Sequence, residues 1–246
     1  MRVPLKLRFY YFLSYFFQKT KTSNFSIDTP KNIRDGEEFP IENLEIFLKE
    51  NDFEINNLIF KQFPSGYSNL TYFLKSSSKE FVLRRPPFGA KSLKGGHDML
   101  REYNVLKNLK SQFNKVPKVH LYCDNDDIIG APFYIMDRVE GYIIRPNLQE
   151  QDSPGEEVIR NVSDSLVSTL VELHNVDINE ANLNNLGKID GYVKRQVEGW
   201  IKRYNHSKTD IIANMDFVAK WLNDNQPLEV EGSIVHNDFK YDNLVL

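Results

Sequence analysis

The sequence has 246 residues, with 31 lysines and arginines against 34 aspartates and glutamates and a formal net charge of −3. Apolar residues make up 41% and charged residues 26%, a mixture that is typical of globular chains and excludes collagen-like, low-complexity or largely disordered ones. The near balance of charge gives no basis for nucleic-acid binding, which needs a concentrated basic surface. The single cysteine, Cys123, excludes an internal disulfide and a thiolate zinc cluster.

Residues 1–25 have a composition of their own, with basic residues on both sides of an aromatic, apolar run, Phe9–Phe17. The run is too short for a membrane-spanning helix, which needs about 20 apolar residues. Gln18 and Lys19 follow where a signal peptide has small residues. We therefore expect no transmembrane span and a cytoplasmic protein. The favoured interpretation of residues 1–32 is an N-terminal extension outside the fold, and a membrane-surface or organelle-targeting segment is the alternative.

The apolar pattern predicts regular elements from residue 33 onwards. In chain order it predicts a helix over Asp35–Glu50, strands over Asn57–Phe63, Leu70–Leu74 and Glu80–Arg84, a helix over 97–110, strands over Val119–Tyr122 and Ile128–Arg138, and helices over Glu156–His174 and Tyr192–Tyr204. This order predicts an α+β fold of two lobes. We expect residues 33–140 to form a β-rich lobe with one inserted helix and residues 141–246 to form a mainly helical lobe.

A turn of small and polar residues, Pro64–Thr71, lies between the first two predicted strands. Backbone N–H groups that no bulky side chain covers can hold a phosphate, and serine hydroxyls add donors. The turn has one glycine, Gly66, and therefore matches neither a Walker A loop nor a dinucleotide-binding fingerprint. An ordinary hairpin turn is the alternative.

Two charged residues of the β-rich lobe are candidates for a phosphate site. In the predicted strand, Val82 and Arg84 point to one face and Phe81 and Leu83 to the other. Arg84 can thus present a fixed cation to phosphate oxygens. Glu102, on the helix that follows, can pair with Arg84. The alternatives are a solvent-exposed arginine and an ordinary helix-surface carboxylate.

The most specific motif is His236-Asn237-Asp238, in which Asn243 follows the aspartate after five positions. In the catalytic loop of kinases, an aspartate at this position accepts the proton of a hydroxyl and the asparagine binds magnesium. The spacing lets one loop direct a carboxylate and an amide at the same phosphoryl group. A polar loop without catalytic function is the alternative.

Together these features resemble the aminoglycoside phosphotransferase-like branch of the protein kinase fold. The likeness is strongest to small-molecule kinase domains at the N-terminus of some acyl-CoA dehydrogenase family proteins. It covers about residue 33 to the end and is carried by Ile33–Leu48 (IRDGEEFPIENLEIFL), Phe63–Leu74 (FPSGYSNLTYFL), Phe81–Gly89 (FVLRRPPFG), Ile129–Gly141 (IGAPFYIMDRVEG) and Val235–Leu244 (VHNDFKYDNL).

The resemblance implies an ATP- and Mg²⁺-dependent kinase site. It implies that Gly66, Ser68 and Asn69 belong to a loop that covers the nucleotide. It implies that Arg84 and Glu102 form an ion pair that binds phosphate. It also implies that backbone groups of Asp137 and Val139, in the hinge between the lobes, contact adenine. It also implies that Asp238 is the catalytic base, Asn243 a magnesium ligand and His236 a structural member of the loop.

Two departures from the family pattern bear on activity. Family members usually have glycine where this chain has Asn237. The family's second magnesium-binding aspartate comes on the strands after the catalytic loop, and the sequence stops at Leu246. We therefore expect an incomplete helical lobe, a truncated chain and impaired catalysis, because removal of one electrostatic stabiliser costs about 10²–10³-fold in rate elsewhere.

The implied function is transfer of the γ-phosphate of ATP to a hydroxyl of a small metabolite. Aminoglycosides, choline, sugars, homoserine and hydroxyacyl-CoA esters suit relatives of this fold, and the resemblance favours a hydroxyacyl or aminoglycoside-like acceptor. A nucleotide-binding pseudokinase or inactive fragment, and a membrane-associated scaffold, are the alternative functions.

Overall fold

The computed structural model describes residues 28–53, 55–64, 69–77, 79–89, 97–144, 155–228 and 231–246. Its elements are α1 (Ile41–Glu50), β1 (Ile59–Gln62), β2 (Leu70–Ser76), β3 (Lys79–Arg85), α2 (Met99–Leu109), β4 (Val119–Cys123), α3 (Asp126–Ile129), β5 (Phe133–Asp137), α4 (Glu156–His174), α5 (Tyr192–Ser207), α6 (Ala213–Asp224) and a short 3₁₀ turn at Tyr241–Asn243. The chain divides into two compact units, Met1–Leu183 with Ile234–Leu246, and Asn184–Ser233.

The first unit contains a five-stranded antiparallel sheet with strand order β1-β2-β3-β5-β4. The hairpin between β2 and β3 turns tightly after the Ser76–Lys79 pair, where Ser77 has φ +53°. On β3, Arg84 pairs with Thr71 of β2 on one side and with Tyr134 of β5 on the other. The α+β class predicted from the sequence is confirmed, and Arg84 lies in the central strand.

The core of the sheet lies under α1. Leu44 and Leu48 occur four residues apart, so they occupy one face of the helix, and both are fully buried. They belong to one apolar cluster with sheet residues such as Tyr72, Leu83 and Ile135. Helical packing against alternate sheet residues therefore holds β3 and β5 in place.

The predicted strand Ile128–Arg138 is wrong at its beginning. Residues Asp126–Ile129 form the short helix α3, and β5 begins only at Phe133. The Asn125 side chain accepts a hydrogen bond of 2.9 Å from the Asp127 N–H, which is an N-cap. Gly130 then ends the helix in the left-handed conformation, at φ +81°.

The other predicted elements are confirmed with shifts at their ends. The first helix begins at Ile41 rather than Asp35, immediately after Pro40, whose ring fits the start of a helix. The α4 helix has the predicted bounds. Within the described residues, no helix combines the length and apolarity that crossing a membrane requires.

The segment before α1 contacts the sheet at its edge. Lys31 and Gln62 exchange two backbone hydrogen bonds, of 2.8 and 2.9 Å, in an antiparallel bridge. The domain bounds at residues 32 and 140 stay predictions, and the structure adds that Lys31 pairs with β1.

Candidate functional site

The site begins at Asn237, which has φ +65°. This left-handed conformation suits glycine, and asparagine is among the few other residues that adopt it readily. The departure from the family's usual glycine thus preserves the backbone turn. The chain then runs through Asp238 into the 3₁₀ turn, where Asn243 follows.

The structure brings the predicted pair Asp238 and Asn243 together. The Asn243 Nδ2 donates to the Asp238 backbone oxygen at 2.7 Å and to its carboxylate Oδ2 at 2.9 Å. The Asp238 side chain is 22% exposed, so one face of the carboxylate meets solvent. A carboxylate fixed by an amide and open on one side can receive a proton from a bound hydroxyl.

The carboxamide of Asn243 also offers an oxygen. Asn243 is 2% exposed, and its Oδ1 is buried without a hydrogen-bond partner in the part of the chain that the structure describes. Such an orphan oxygen is costly unless a ligand satisfies it. Mg²⁺ takes oxygen ligands and commonly uses one or two protein groups together with substrate phosphates. Asn243 therefore fits the magnesium ligand that the family implies.

His236 holds the backbone of this loop. It is buried, and its Nδ1 accepts a hydrogen bond of 3.2 Å from the Asp238 N–H. Burial lowers the pKa of His236 to about 4, against a small opposing effect of the Asp238 charge. The ring is therefore neutral at pH 7, as its acceptor role requires.

Sequence reasoning missed Lys240, which lies between two carboxylates of the loop. Its Nζ is 3.7 Å from Asp238 Oδ1 and 3.4 Å from Asp242 Oδ2. The side chain is half exposed, so it remains accessible to an anionic ligand. The sequence does indicate this role, because Lys240 follows Asp238 by two residues in the same loop.

The predicted ion pair between β3 and α2 is formed. Arg84 Nη2 lies 3.4 Å from Glu102 Oε2, and both side chains are 3% exposed. Glu102 also accepts hydrogen bonds of 2.9 Å from the Tyr134 hydroxyl and 2.8 Å from Asn69 Nδ2. Burial makes such a network rigid, because unpaired charges there are costly. Glu102 thus orients Arg84.

Asn69 belongs to this network rather than to an exposed loop surface. It is buried, and its Oδ1 lies 2.7 Å from His97 Nδ1. The other two residues assigned to the nucleotide-covering loop, Gly66 and Ser68, lie outside the described residues. Tyr134 and His97 had no signal in the sequence, because their partners Glu102 and Asn69 are about 30 residues away along the chain.

A small cavity of about 20 Å³, partly open to solvent, lies where the hinge predicted from the resemblance meets the segment after the catalytic loop. Both predicted hinge residues, Asp137 and Val139, line it. The full lining is Asp28, Phe63, Val82, Asp137, Arg138, Val139, Glu140, Gly141, Ile143 and Val245. Apolar side chains beside backbone polar groups are the chemistry that holds a flat aromatic base.

Backbone hydrogen bonds fix the two edges of this cavity together. Tyr142 N donates to Leu246 O at 3.0 Å, and Leu246 N donates to Tyr142 O at 2.8 Å. Gly141 permits this approach, because a Cβ at that position would overlap the Leu246 carbonyl oxygen. The side chain of Asp137 is held by His120 Nε2 at 2.6 Å.

Two residues that line the cavity are close in sequence to Arg84 and Asn243. Val82 lines it, and Arg84, two residues along the same strand, points to the same face. Val245 also lines it, and Asn243 precedes Val245 by two residues, or at most about 7 Å of chain. Arg84 and Asn243 thus each lie two residues along the chain from a residue that lines the cavity.

Comparison with known proteins agrees with this arrangement. The chain is 41% identical to acyl-CoA dehydrogenase family member 11 of Rattus norvegicus over 213 residues, which cover 84% of this chain and 27% of that protein. It is 36% identical to the Homo sapiens protein of the same name over 189 residues, which cover 76% of this chain and 24% of that protein. The chain therefore spans about a quarter of the curated relatives.

A solved structure shows the same fold. The crystal structure of a "putative aminoglycoside phosphotransferase" from Ralstonia eutropha JMP134 superposes with a TM-score of 0.73 at 30% identity, covering 85% of this chain and 61% of that one. A sequence profile described as "Phosphotransferase enzyme family" matches residues 59–246, which include the sheet, the hinge and the Asp238 loop. The chain belongs to the phosphotransferase enzyme family.

Proposed function

We propose that this chain is the phosphotransferase part of a kinase that moves the γ-phosphate of ATP to a hydroxyl of a small metabolite. The observation that carries the proposal is the contact between Asp238 and Asn243. Asn243 precedes by two residues Val245, which lines the small cavity beside the predicted hinge. A fixed carboxylate, an orphan amide oxygen and a buried arginine held by a glutamate match the groups that phosphoryl transfer needs.

Each group has a separate role in this proposal. The apolar side chains Phe63, Val82 and Val245 contact the adenine, while backbone groups of Asp137 and Val139 hydrogen-bond to its edge. Arg84, held by Glu102, binds phosphate oxygens, for which a guanidinium is well suited.

Asp238 orients the acceptor hydroxyl and takes its proton as the acceptor oxygen bonds to the γ-phosphorus. The bond between the γ-phosphorus and the bridging oxygen breaks in the same transfer, and ADP leaves. The amide of Asn243 holds the carboxylate on one side, so its open edge faces the substrate. Asn243 Oδ1 would hold Mg²⁺, which neutralises charge on the phosphate oxygens when it is bound.

The acceptor that we favour is an acyl-type hydroxy compound such as a hydroxyacyl-CoA ester. The support is the similarity to acyl-CoA dehydrogenase family proteins, of which this chain covers about a quarter. An aminoglycoside-like acceptor is the alternative, and the similarity to the Ralstonia structure supports it.

A nucleotide-binding pseudokinase is the second candidate. The described residues contain no group of three or more His, Cys, Asp or Glu side chains placed to hold a metal. Asn243 would thus hold magnesium with few other protein ligands, and the metal would bind weakly. A protein that binds magnesium weakly can bind the nucleotide without transferring its phosphate.

The experiment measures ADP formation and ADP binding for the wild type and for Asp238→Asn. We expect the variant to bind ADP normally and to lose about 10²–10⁴-fold in turnover, the usual contribution of a general base. Asp216→Asn, an exposed carboxylate in α6, is the control and retains full turnover.

The outcomes separate the candidates. Equal turnover in Asp238→Asn and wild type contradicts the assignment of the base. ADP binding without turnover in the wild type, with each acceptor class supplied, supports the pseudokinase. Absence of ADP binding contradicts both candidates.

A further inference from the structure

A series of polar side chains connects His97, the second residue before α2, to the ion pair of Arg84. His97 Nδ1 lies 2.7 Å from Asn69 Oδ1, and Asn69 Nδ2 donates to Glu102 Oε1 at 2.8 Å. Glu102 Oε2 in turn lies 3.4 Å from Arg84 Nη2. Asn69, Glu102 and Arg84 are buried, whereas His97 is partly exposed. His97 is therefore the end of the series that lies nearest to solvent.

The charge of Glu102 fixes the direction of the Asn69 amide. A carboxylate that pairs with an arginine is ionised, and an ionised carboxylate can only accept hydrogen bonds. The NH₂ group of Asn69 must therefore face Glu102. The reverse orientation would bring the amide oxygen against a carboxylate oxygen and would leave two buried acceptors without a donor between them, which folded proteins avoid.

The direction of the amide in turn fixes the proton of His97. Asn69 Oδ1 has no hydrogen to donate, so His97 Nδ1 must be the donor in the 2.7 Å contact. A neutral histidine carries its proton on one of its two ring nitrogens, and its hydrogen-bond partners decide which one. His97 must therefore carry it on Nδ1. His236 has the opposite arrangement, because its Nδ1 accepts a hydrogen bond from the Asp238 N–H.

Glu102 needs support from Asn69 because its contact with Arg84 is weak in geometry. At 3.4 Å, the contact is longer than a charge-assisted hydrogen bond, which usually measures about 2.8 Å. The same carboxylate oxygen also accepts a hydrogen bond of 2.9 Å from the Tyr134 hydroxyl. Asn69 and Tyr134 thus hold the two oxygens of Glu102 from opposite ends. Loss of the Asn69 bond would let the carboxylate turn, and the Arg84 guanidinium would move with it.

We propose that His97 is a positioning residue for nucleotide binding. Its Nδ1–H holds the Asn69 amide, the amide holds Glu102, and Glu102 sets the position of the Arg84 guanidinium. The inference rests on the proposed function, since it assumes that Arg84 binds the phosphates of the nucleotide. The proton on His97 Nδ1 follows from the contacts alone and does not need that assumption.

The first test determines which ring nitrogen of His97 carries the proton, by ¹⁵N NMR of the whole chain at about pH 8. We expect a hydrogen on Nδ1 of His97 and on Nε2 of His236, so that the two histidines give opposite patterns. Spectra of His97→Phe and His236→Gln assign the signals. Absence of a hydrogen from Nδ1 of His97 would overturn the inference, whatever the affinity for nucleotide.

The second test measures the Kd of ADP by NMR titration. His97→Phe keeps a ring and removes the donor, and we expect it to bind ADP about 3–10-fold more weakly, the value of one hydrogen bond between neutral groups. His97→Asn should restore the wild-type Kd, because its amide nitrogen, like Nδ1 of histidine, is bonded to Cγ. His174→Phe changes an exposed histidine at the end of α4 and should bind ADP as wild type does.

The third test measures the same change in a background without the ion pair. Arg84→Met combined with Glu102→Gln removes both charges, so neither is left buried without its partner. In this background His97→Phe should leave the Kd of ADP unchanged, because no guanidinium remains to be positioned. If it weakens ADP binding by the same factor in both backgrounds, His97 acts by another route and the inference is wrong.

The other outcomes separate this inference from the proposed function. If His97→Phe binds ADP as tightly as wild type, His97 positions nothing that ADP contacts, while the proposed function stands. If wild type binds no ADP, or if the background without the ion pair binds ADP as tightly as wild type, the role proposed for Arg84 fails first and this inference fails with it.

Discussion

Asn237 sets the direction of the chain at the point where Asp238 enters the site. Its φ of +65° is favourable for glycine, acceptable for asparagine and strained for a β-branched residue. The same backbone angle explains why a residue other than the family's usual glycine is tolerated here.

We expect Asn237→Gly to match or exceed the wild-type stability and Asn237→Val to lose about 1–3 kcal/mol, the usual cost of a strained φ. Urea unfolding measures both. The valine variant should also lose turnover, because Asp238 follows directly. A valine variant as stable as the glycine variant would show that the left-handed turn is not required.

Residues that lie close in sequence were the predictable part of the site. Asp238 and Asn243 are five positions apart on one turn, so their contact follows from local geometry. The pairing of Glu102 with Arg84 was predicted, but its other two partners were not, because Asn69 precedes β2 and Tyr134 lies in β5. Cross-strand register is set by the whole sheet and has no short-range signature.

At the scale of elements, α1 illustrates how a buried helical face stabilises the sheet that carries Arg84. Leu48 is fully buried in the core cluster, whereas Ile46 of the same helix is 55% exposed. The two side chains therefore provide a matched pair with similar size and different burial.

We expect Leu48→Ala to lower the free energy of unfolding by about 2–5 kcal/mol, because the variant loses apolar contacts and leaves an empty space in the core. Ile46→Ala should change it by less than about 0.5 kcal/mol, as surface substitutions usually do. Urea denaturation monitored by far-ultraviolet circular dichroism measures both. Equal losses in the two variants would contradict the assigned helix face.

The elements also show where periodicity fails as a predictor. The hairpin of β2 and β3 was predictable because two runs of strand-forming residues lie on either side of a polar turn. The α3 helix was not, since four residues are too few for a period to be visible. Its cap at Asn125 and its end at Gly130 decided the conformation instead.

At the scale of the whole molecule, the buried His236 couples global stability to pH. Its folded pKa is about 4, below the ordinary 6.5. Below pH 6.5 the unfolded chain binds a proton at this residue and the folded chain does not. The contribution of His236 to the free energy of unfolding is therefore fully present above pH 6.5, and it is lost as the pH decreases towards 4.

We expect the loss from this group to approach about 1.4 kcal/mol per pH unit between pH 6 and 4. His236→Gln should flatten that part of the pH profile, while the exposed control His206→Gln should leave it unchanged. Urea unfolding across pH 4–7.5 gives the measurement. Identical profiles for wild type and His236→Gln would rule out this coupling.

The order of a β-rich part followed by a helical part was predictable from the sequence, because each element has its own period. The bounds of the second compact unit, Asn184–Ser233, were not. They depend on which segments pack together after the chain has folded, and α5 and α6 have ordinary helical patterns that do not reveal it.

The bridge between Tyr142 and Leu246 has a kinetic consequence. It joins positions 104 residues apart (246 − 142), and contacts of such long sequence separation are slow to form, since closing a long loop costs entropy. The wall that Val245 contributes can thus assemble only after the local hairpins and helices exist. Acquisition of nucleotide affinity during refolding should lag behind the recovery of circular dichroism.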